Sequence, residues 1–129
     1  MEKLAYRIKI SVLWIFMAVA MSAHSIFAFM DPNAVEHMKE MQIGPMMFLF
    51  MALFWILPLI MAFLSIILKD TACRWANIIL GLLFTVFNLF HFFEHLVQPS
   101  IQQIVIIGST VVVTALISYY AIRWPKQTA

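Results

Sequence analysis

Charge is scarce in this chain. Of 129 residues, 11% are charged and 64% are hydrophobic, where a soluble domain is roughly a quarter charged and half apolar. A soluble fold this small could not hide so much apolar surface, so lipid is expected as its solvent. The single cysteine, Cys73, excludes an intrachain disulfide and any multi-cysteine metal site. Three glycines are too few for a glycine-rich phosphate loop. No span carries paired carboxylates, and no Ser/His/Asp set has workable geometry. The net charge of +2 does not suggest nucleic acid as a partner.

What is present is four long apolar runs, at about residues 10–30, 46–68, 75–97 and 104–122. Each approaches the ~20 residues that cross ~30 Å of hydrocarbon at 1.5 Å per residue. They are expected as helices, because backbone polar groups in lipid need partners within the segment and four segments cannot close a barrel. The fold class predicted is all-α: an integral membrane four-helix bundle with short loops, forming one domain over residues 1–129.

Orientation follows from the basic residues. Lys3, Arg7 and Lys9 precede span one, Lys69 and Arg74 separate spans two and three, and Arg123 and Lys126 follow span four. Only Lys39 lies in an opposite-side loop. The positive-inside rule then predicts both termini on the cytoplasmic side of a cell (inner) membrane, with Tyr6, Trp75, Tyr119, Tyr120 and Trp124 at that boundary. The basic start and Ala18-Val19-Ala20 would also suit a secretory signal peptide, but the apolar run continues to Met30, past the usual length.

The outer connection between spans one and two has its own pattern. Asp31-Pro32 is a good helix start, and Gly44-Pro45 reads as a helix stop. Between them Val35, Met38 and Met41 recur at helical spacing among Glu36, Lys39 and Glu40. A short amphipathic helix on the outer surface is expected. Pro58 should kink span two and free the carbonyl of Phe54.

Polar residues inside lipid are expensive and therefore informative. In span three, positions 77, 81, 84, 88, 91 and 95 alternate gaps of four and three, so Asn77, Gly81, Phe84, Asn88, His91 and His95 share one face. Such a seam should face other helices, with Asn77 and Asn88 serving as packing residues. Counting ~1.5 Å per residue from the inner boundary brings His24 and His91 to a common depth of roughly 22 to 24 Å. Trp55, Ser109 and Thr110 fall at about the same level. Candidate ligand-binding residues are therefore His24, Asn88, His91 and His95, with His24 and His91 as candidate metal ligands.

Several chemistries fit such a layer. Helical bundles build metal sites from facing side chains, and two imidazoles also suit a haem, although four helices leave little room for one. Met21, Met30, Met38, Met41, Met46 and Met47 gather toward the outer side, and thioethers with imidazole favour Cu(I). Their plainer role is as flexible apolar filler. His91-Phe92-Phe93-Glu94-His95 matches the H-x-x-E-H string of inverted zinc proteases. That enzyme needs a third protein ligand, and no acidic residue follows Glu94. Cys73, expected in the inner loop beside Arg74, is read as inert.

The runs Leu64-Ser65-Ile66-Ile67-Leu68-Lys69 and Arg74-Trp75-Ala76-Asn77-Ile78-Ile79-Leu80-Gly81 resemble an uncharacterised family of small bacterial four-span membrane proteins. Ser11-Val12-Leu13-Trp14-Ile15-Phe16, Met30-Asp31-Pro32 and Arg123-Trp124-Pro125 are similar to it as well. The resemblance covers most of the chain and implies a four-helix membrane fold with no assigned activity. His91, Glu94 and His95 stand outside these runs.

The expected function is a small non-enzymatic multi-pass membrane protein. It would bind a metal ion or small hydrophobic ligand in the outer-half His/Asn layer. Two alternatives remain: an accessory subunit of a larger membrane complex, and a small oligomeric transporter. The lipid bilayer is the expected partner in each case, with a second copy or a larger membrane protein beside it.

Overall fold

A computed structural model of the chain describes residues 1–125. Lys126, counted above among the basic residues, lies outside the described residues. Five helices follow one another: α1 (Glu2–Met30), α2 (Pro32–Glu40), α3 (Pro45–Ile67), α4 (Asp70–Val97) and α5 (Ile101–Ile122). All except α2 are long and apolar enough to cross a membrane. All four start earlier than the apolar runs indicated, α3 by a single residue and the others by three or more. With 29 residues α1 is about 43 Å long, well beyond ~30 Å of hydrocarbon. Hydropathy marks only the lipid-facing part, whereas the backbone ladder continues through polar residues such as Lys3 and Arg7.

The connections are short. Asp31 caps α2, its carboxylate accepting the Asn33 backbone N–H at 3.0 Å, with Pro32 in the first turn. Ala34, Val35 and Met38 are half-buried, and Met41 is exposed, so α2 keeps its apolar stripe inward as far as Met38. Gly44-Pro45 does not stop α2, which ends at Glu40. It opens α3 instead, with Gly44 as N-cap and Pro45 in the first turn. Proline at the first helical position loses no hydrogen bond, so it starts a helix more readily than it follows one. Pro58 sits inside an unbroken α3. Only Leu68 and Lys69 separate α3 from α4.

The helices alternate in direction. α1 packs against α3 and α5, and α4 packs mainly against α5. The backbones of α1 and α4 stay apart across the diagonal, and long side chains fill the space between them. Trp14 on α1 meets Phe84 on α4 edge-on at 5.3 Å, and Phe84 stacks on Phe54 of α3 at 4.6 Å. The most extensive helix contact is between α4 and α5. A Cβ on Gly81 would lie 2.6 Å from Ser118 Oγ and 3.2 Å from the Ser118 backbone nitrogen. Membrane helices gain association energy from such close approach, because lipid removes the hydrophobic drive.

One end of the bundle gathers the start of α1, the α3–α4 turn and the end of α5. There Asp70 accepts from Lys3 Nζ at 2.6 Å and from Arg7 Nη2 at 2.7 Å, while Arg7 Nη1 reaches the carbonyls of Ser65 and Ile66, each at 3.0 Å. These ties staple α1 to the turn. Trp124 is buried beside Tyr6, and the Arg7 guanidinium lies 5.5 Å from its ring. Tyr119 and Trp75 remain exposed.

Candidate functional site

Two asparagines of α4 are buried inside the bundle, and they differ in how firmly they are held. Near the terminal end Asn77 is fully buried; its Oδ1 accepts the Trp14 indole N–H at 2.6 Å, and its Nδ2 donates to the Cys73 carbonyl at 2.8 Å and to Ser65 Oγ at 3.1 Å. Cys73 is not in a loop as expected. It occupies the first turn of α4 and is fully buried, its thiol directed at the Ser65 carbonyl at 3.4 Å. The turn is two residues long, so the helix has already begun at Asp70.

Asn88 is equally buried but loosely held. Its Nδ2 lies 3.4 Å from both the Thr110 carbonyl and Thr114 Oγ1, and its Oδ1 has no partner among the described residues. Met17 Sδ stands 3.5 Å from the same Nδ2. One turn further along α4 the histidines begin, so Asn88 forms the floor beneath them. It does not join their cluster.

At the opposite end from the termini, His24 of α1 meets His91 and His95 of α4. The Nε2 atoms of His24 and His91 are 3.1 Å apart. Ring centroids are 4.9 Å apart for His24 and His91, 5.1 Å for His24 and His95, and 4.7 Å for His91 and His95. One nitrogen from each ring lies within 4.8 Å of one from each of the others. All three rings are half-buried. Two α4 residues at i and i+4 share a face, and His24 faces them across the diagonal.

Neighbours orient these rings. His24 Nδ1 lies 2.7 Å from Gln103 Oε1, and Gln103 Nε2 donates to the His24 carbonyl at 3.1 Å. His91 Nδ1 lies 3.1 Å from the exposed carboxylate of Glu94. Glu94 thus sits behind His91, on the far side of the ring from Nε2, and is not poised as a base over the cluster.

The common layer therefore differs in membership from the one counted by depth. Trp55 is exposed on α3 and contributes nothing to it. Thr110 belongs with Asn88, and Gln103 replaces it as the group α5 offers His24. Gln103 precedes the fourth apolar run, yet it is a buried residue in the first turn of α5. A signal for it existed: 103, 107, 110, 114, 117 and 121 alternate gaps of four and three, and all six are buried. Asp70 carries a signal of the same kind, as the lone acid among the basic residues around the α3–α4 turn.

Distance decides what the cluster could hold. Two imidazole nitrogens on opposite sides of one ion would stand about 4 Å apart, given metal–nitrogen bonds of about 2.0 Å. Adjacent corners of a tetrahedron would be about 3.3 Å apart on the same bond length. The observed 3.1 Å between His24 and His91 lies near the separation of adjacent ligands on one ion and well short of the ~4 Å of two rings clamping a haem iron. Four of the six outer methionines, Met30, Met41, Met46 and Met47, are more than half exposed. Among the His, Cys, Asp and Glu side chains of the described residues, the group that converges here is three imidazoles.

The fold is thus that of a membrane-type bundle of four apolar helices carrying a three-histidine cluster. The chain belongs to a family of unknown function (DUF6326), whose sequence profile matches residues 3–129. No curated protein and no solved structure matches it.

Proposed function

We propose that this protein is a small non-enzymatic membrane protein that holds one divalent transition-metal ion between α1 and α4, ligated by His24, His91 and His95. The observation that carries this is the convergence of three imidazoles from diagonally opposed helices, with ligand atoms within 4.8 Å of one another. Imidazole suits Zn²⁺, Co²⁺, Ni²⁺ and Cu²⁺ and not the hard cations. A fourth position would fall to water or an incoming ligand. Asp31, Glu36, Glu40 and Glu94 lie toward this end against the single cation Lys39, a balance that would raise the local concentration of cations.

In this reading residues 1–129 form a single domain in the cell membrane, with both termini cytoplasmic by the distribution of Lys and Arg. The metal site then lies in the outer half. Asn77 and Asn88 act as interhelical packing residues.

The test is a Co²⁺ titration of the full chain purified in detergent, followed by ligand-field absorption, with elemental analysis of the protein as isolated. One ion per chain with tetrahedral absorption is expected. His91→Leu should abolish it while leaving helix content unchanged. An unaltered spectrum on saturation with Co²⁺ overturns the proposal.

A further inference from the structure

The geometry points to Gln103 as a positioning residue that fixes the tautomer of His24, so that its Nε2 lone pair and that of His91 converge on one cation position. This rests on the metal-binding reading above and deepens it.

The orientation of the Gln103 amide is decided by its second contact. Gln103 Nε2 sits 3.1 Å from the His24 carbonyl oxygen, which can only accept. A flipped amide would set two oxygens against each other. With the amide nitrogen held there, Oε1 must be the atom that faces His24 Nδ1 at 2.7 Å. An amide oxygen also only accepts, so Nδ1 carries the proton. In a neutral imidazole the other nitrogen is then the acceptor, and the Nε2 lone pair of His24 points at His91.

The same reasoning reaches His91 from its other side. Glu94 is exposed and its Oε2 lies 3.1 Å from His91 Nδ1. A carboxylate accepts and does not donate, so Nδ1 again carries the proton, and in the neutral ring Nε2 is left as the acceptor. With both rings neutral, two lone pairs then face each other across 3.1 Å, an arrangement that repels unless a metal ion or a shared proton lies between them. Metal-bound histidines commonly donate the opposite ring N–H to a carbonyl or carboxylate, which sets the tautomer and raises ligand basicity. Gln103 and Glu94 supply that pair of acceptors from α5 and α4. Gln103 matters more, because it is buried and doubly held, whereas Glu94 is largely in solvent.

The experiment uses the full chain in detergent micelles, with ¹⁵N-labelled histidine, and reads the ring nitrogens by NMR before any metal is added. His24 and His91 are expected to carry the proton on Nδ1 and the lone pair on Nε2. Co²⁺ is then titrated into the wild type and into Gln103→Leu. The variant should bind about 10- to 100-fold more weakly, the usual cost of losing such a partner. Its His24 signal should shift toward a mixture of tautomers, a change that a purely structural role for Gln103 would not produce. A wild-type His24 protonated on Nε2, or a shared proton between His24 and His91, overturns the inference; so does wild-type affinity in Gln103→Leu. If the wild type has both Nδ1–H tautomers yet takes up no Co²⁺, the tautomer assignment stands and the metal-binding reading falls. The wild-type NMR measurement decides the inference even where the variant fails to fold.

Discussion

The indole N–H of Trp14 meets Asn77 Oδ1 at 2.6 Å across the bundle diagonal, where the backbones of α1 and α4 never approach each other directly. Both residues are fully buried. Removing the amide would strand the indole N–H in an apolar core. Asn77→Leu is therefore expected to destabilise the protein by about 1–2 kcal/mol, the range for a buried partner lost between membrane helices. The midpoint of an SDS unfolding titration checks it.

Asn88 should behave in the opposite way. Its amide bonds are long and its Oδ1 is unpaired, and replacing such a group by an apolar one of similar shape is close to neutral or stabilising. Asn88→Leu is expected to unfold within about 0.5 kcal/mol of the wild type or later. A loss as large as that of Asn77→Leu would show that Asn88 carries more than its geometry indicates.

Gly81 sets the spacing of α4 and α5. A methyl group there meets the Ser118 hydroxyl at 2.6 Å, which can turn away, and the Ser118 backbone nitrogen at 3.2 Å, which cannot. Gly81→Ala should cost less than Gly81→Leu, and the latter about 1–3 kcal/mol by overpacking. Ser118→Gly added to Gly81→Ala should recover part of the loss. The same SDS titration on the three variants measures all of this.

The staple at the terminal end should be modest and sensitive to salt. Asp70 is about a third exposed, at 32% of its side chain, and exposed pairs contribute about 0–1 kcal/mol each. Arg7 is better shielded, at 13%, and also holds two backbone carbonyls. Asp70→Asn is expected to lower stability less than Arg7→Ala, and its effect should shrink at high ionic strength. Thermal unfolding at two salt concentrations separates the two.

Topology can be read by labelling single cysteines from either side of intact cells. Cysteines at positions 36 and 102 should react from outside, and those at 3 and 126 only after permeabilisation. Native Cys73 is fully buried and should not interfere. An externally labelled C-terminus contradicts the cytoplasmic placement of both ends.

Much of this architecture is a one-dimensional property of the chain. Four apolar runs of span length, basic residues flanking them on one side, and the Asp31-Pro32 helix start all depend on local composition or on a few adjacent residues. Because the helical rise per residue is constant, counting also brought His24 and His91 to one level, and the gaps of four and three put Asn77, Asn88, His91 and His95 on one face of α4. The helix limits were less legible, since hydropathy cannot see a helix that continues through polar residues.

Partner choice was decided only in three dimensions. Depth says nothing about how a helix is rotated, so it puts Trp55 in the layer although α3 turns it outward, and hydropathy does not show that α5 begins early enough to bring Gln103 to His24. Such rotations are set by packing between helices distant in sequence, as where Gly81 approaches Ser118 and where Trp14 reaches Asn77 across the diagonal. The chain alone determined that a helical bundle would carry histidines at a common depth in lipid. Tertiary packing decided which nitrogens face each other and which neighbours hold them there.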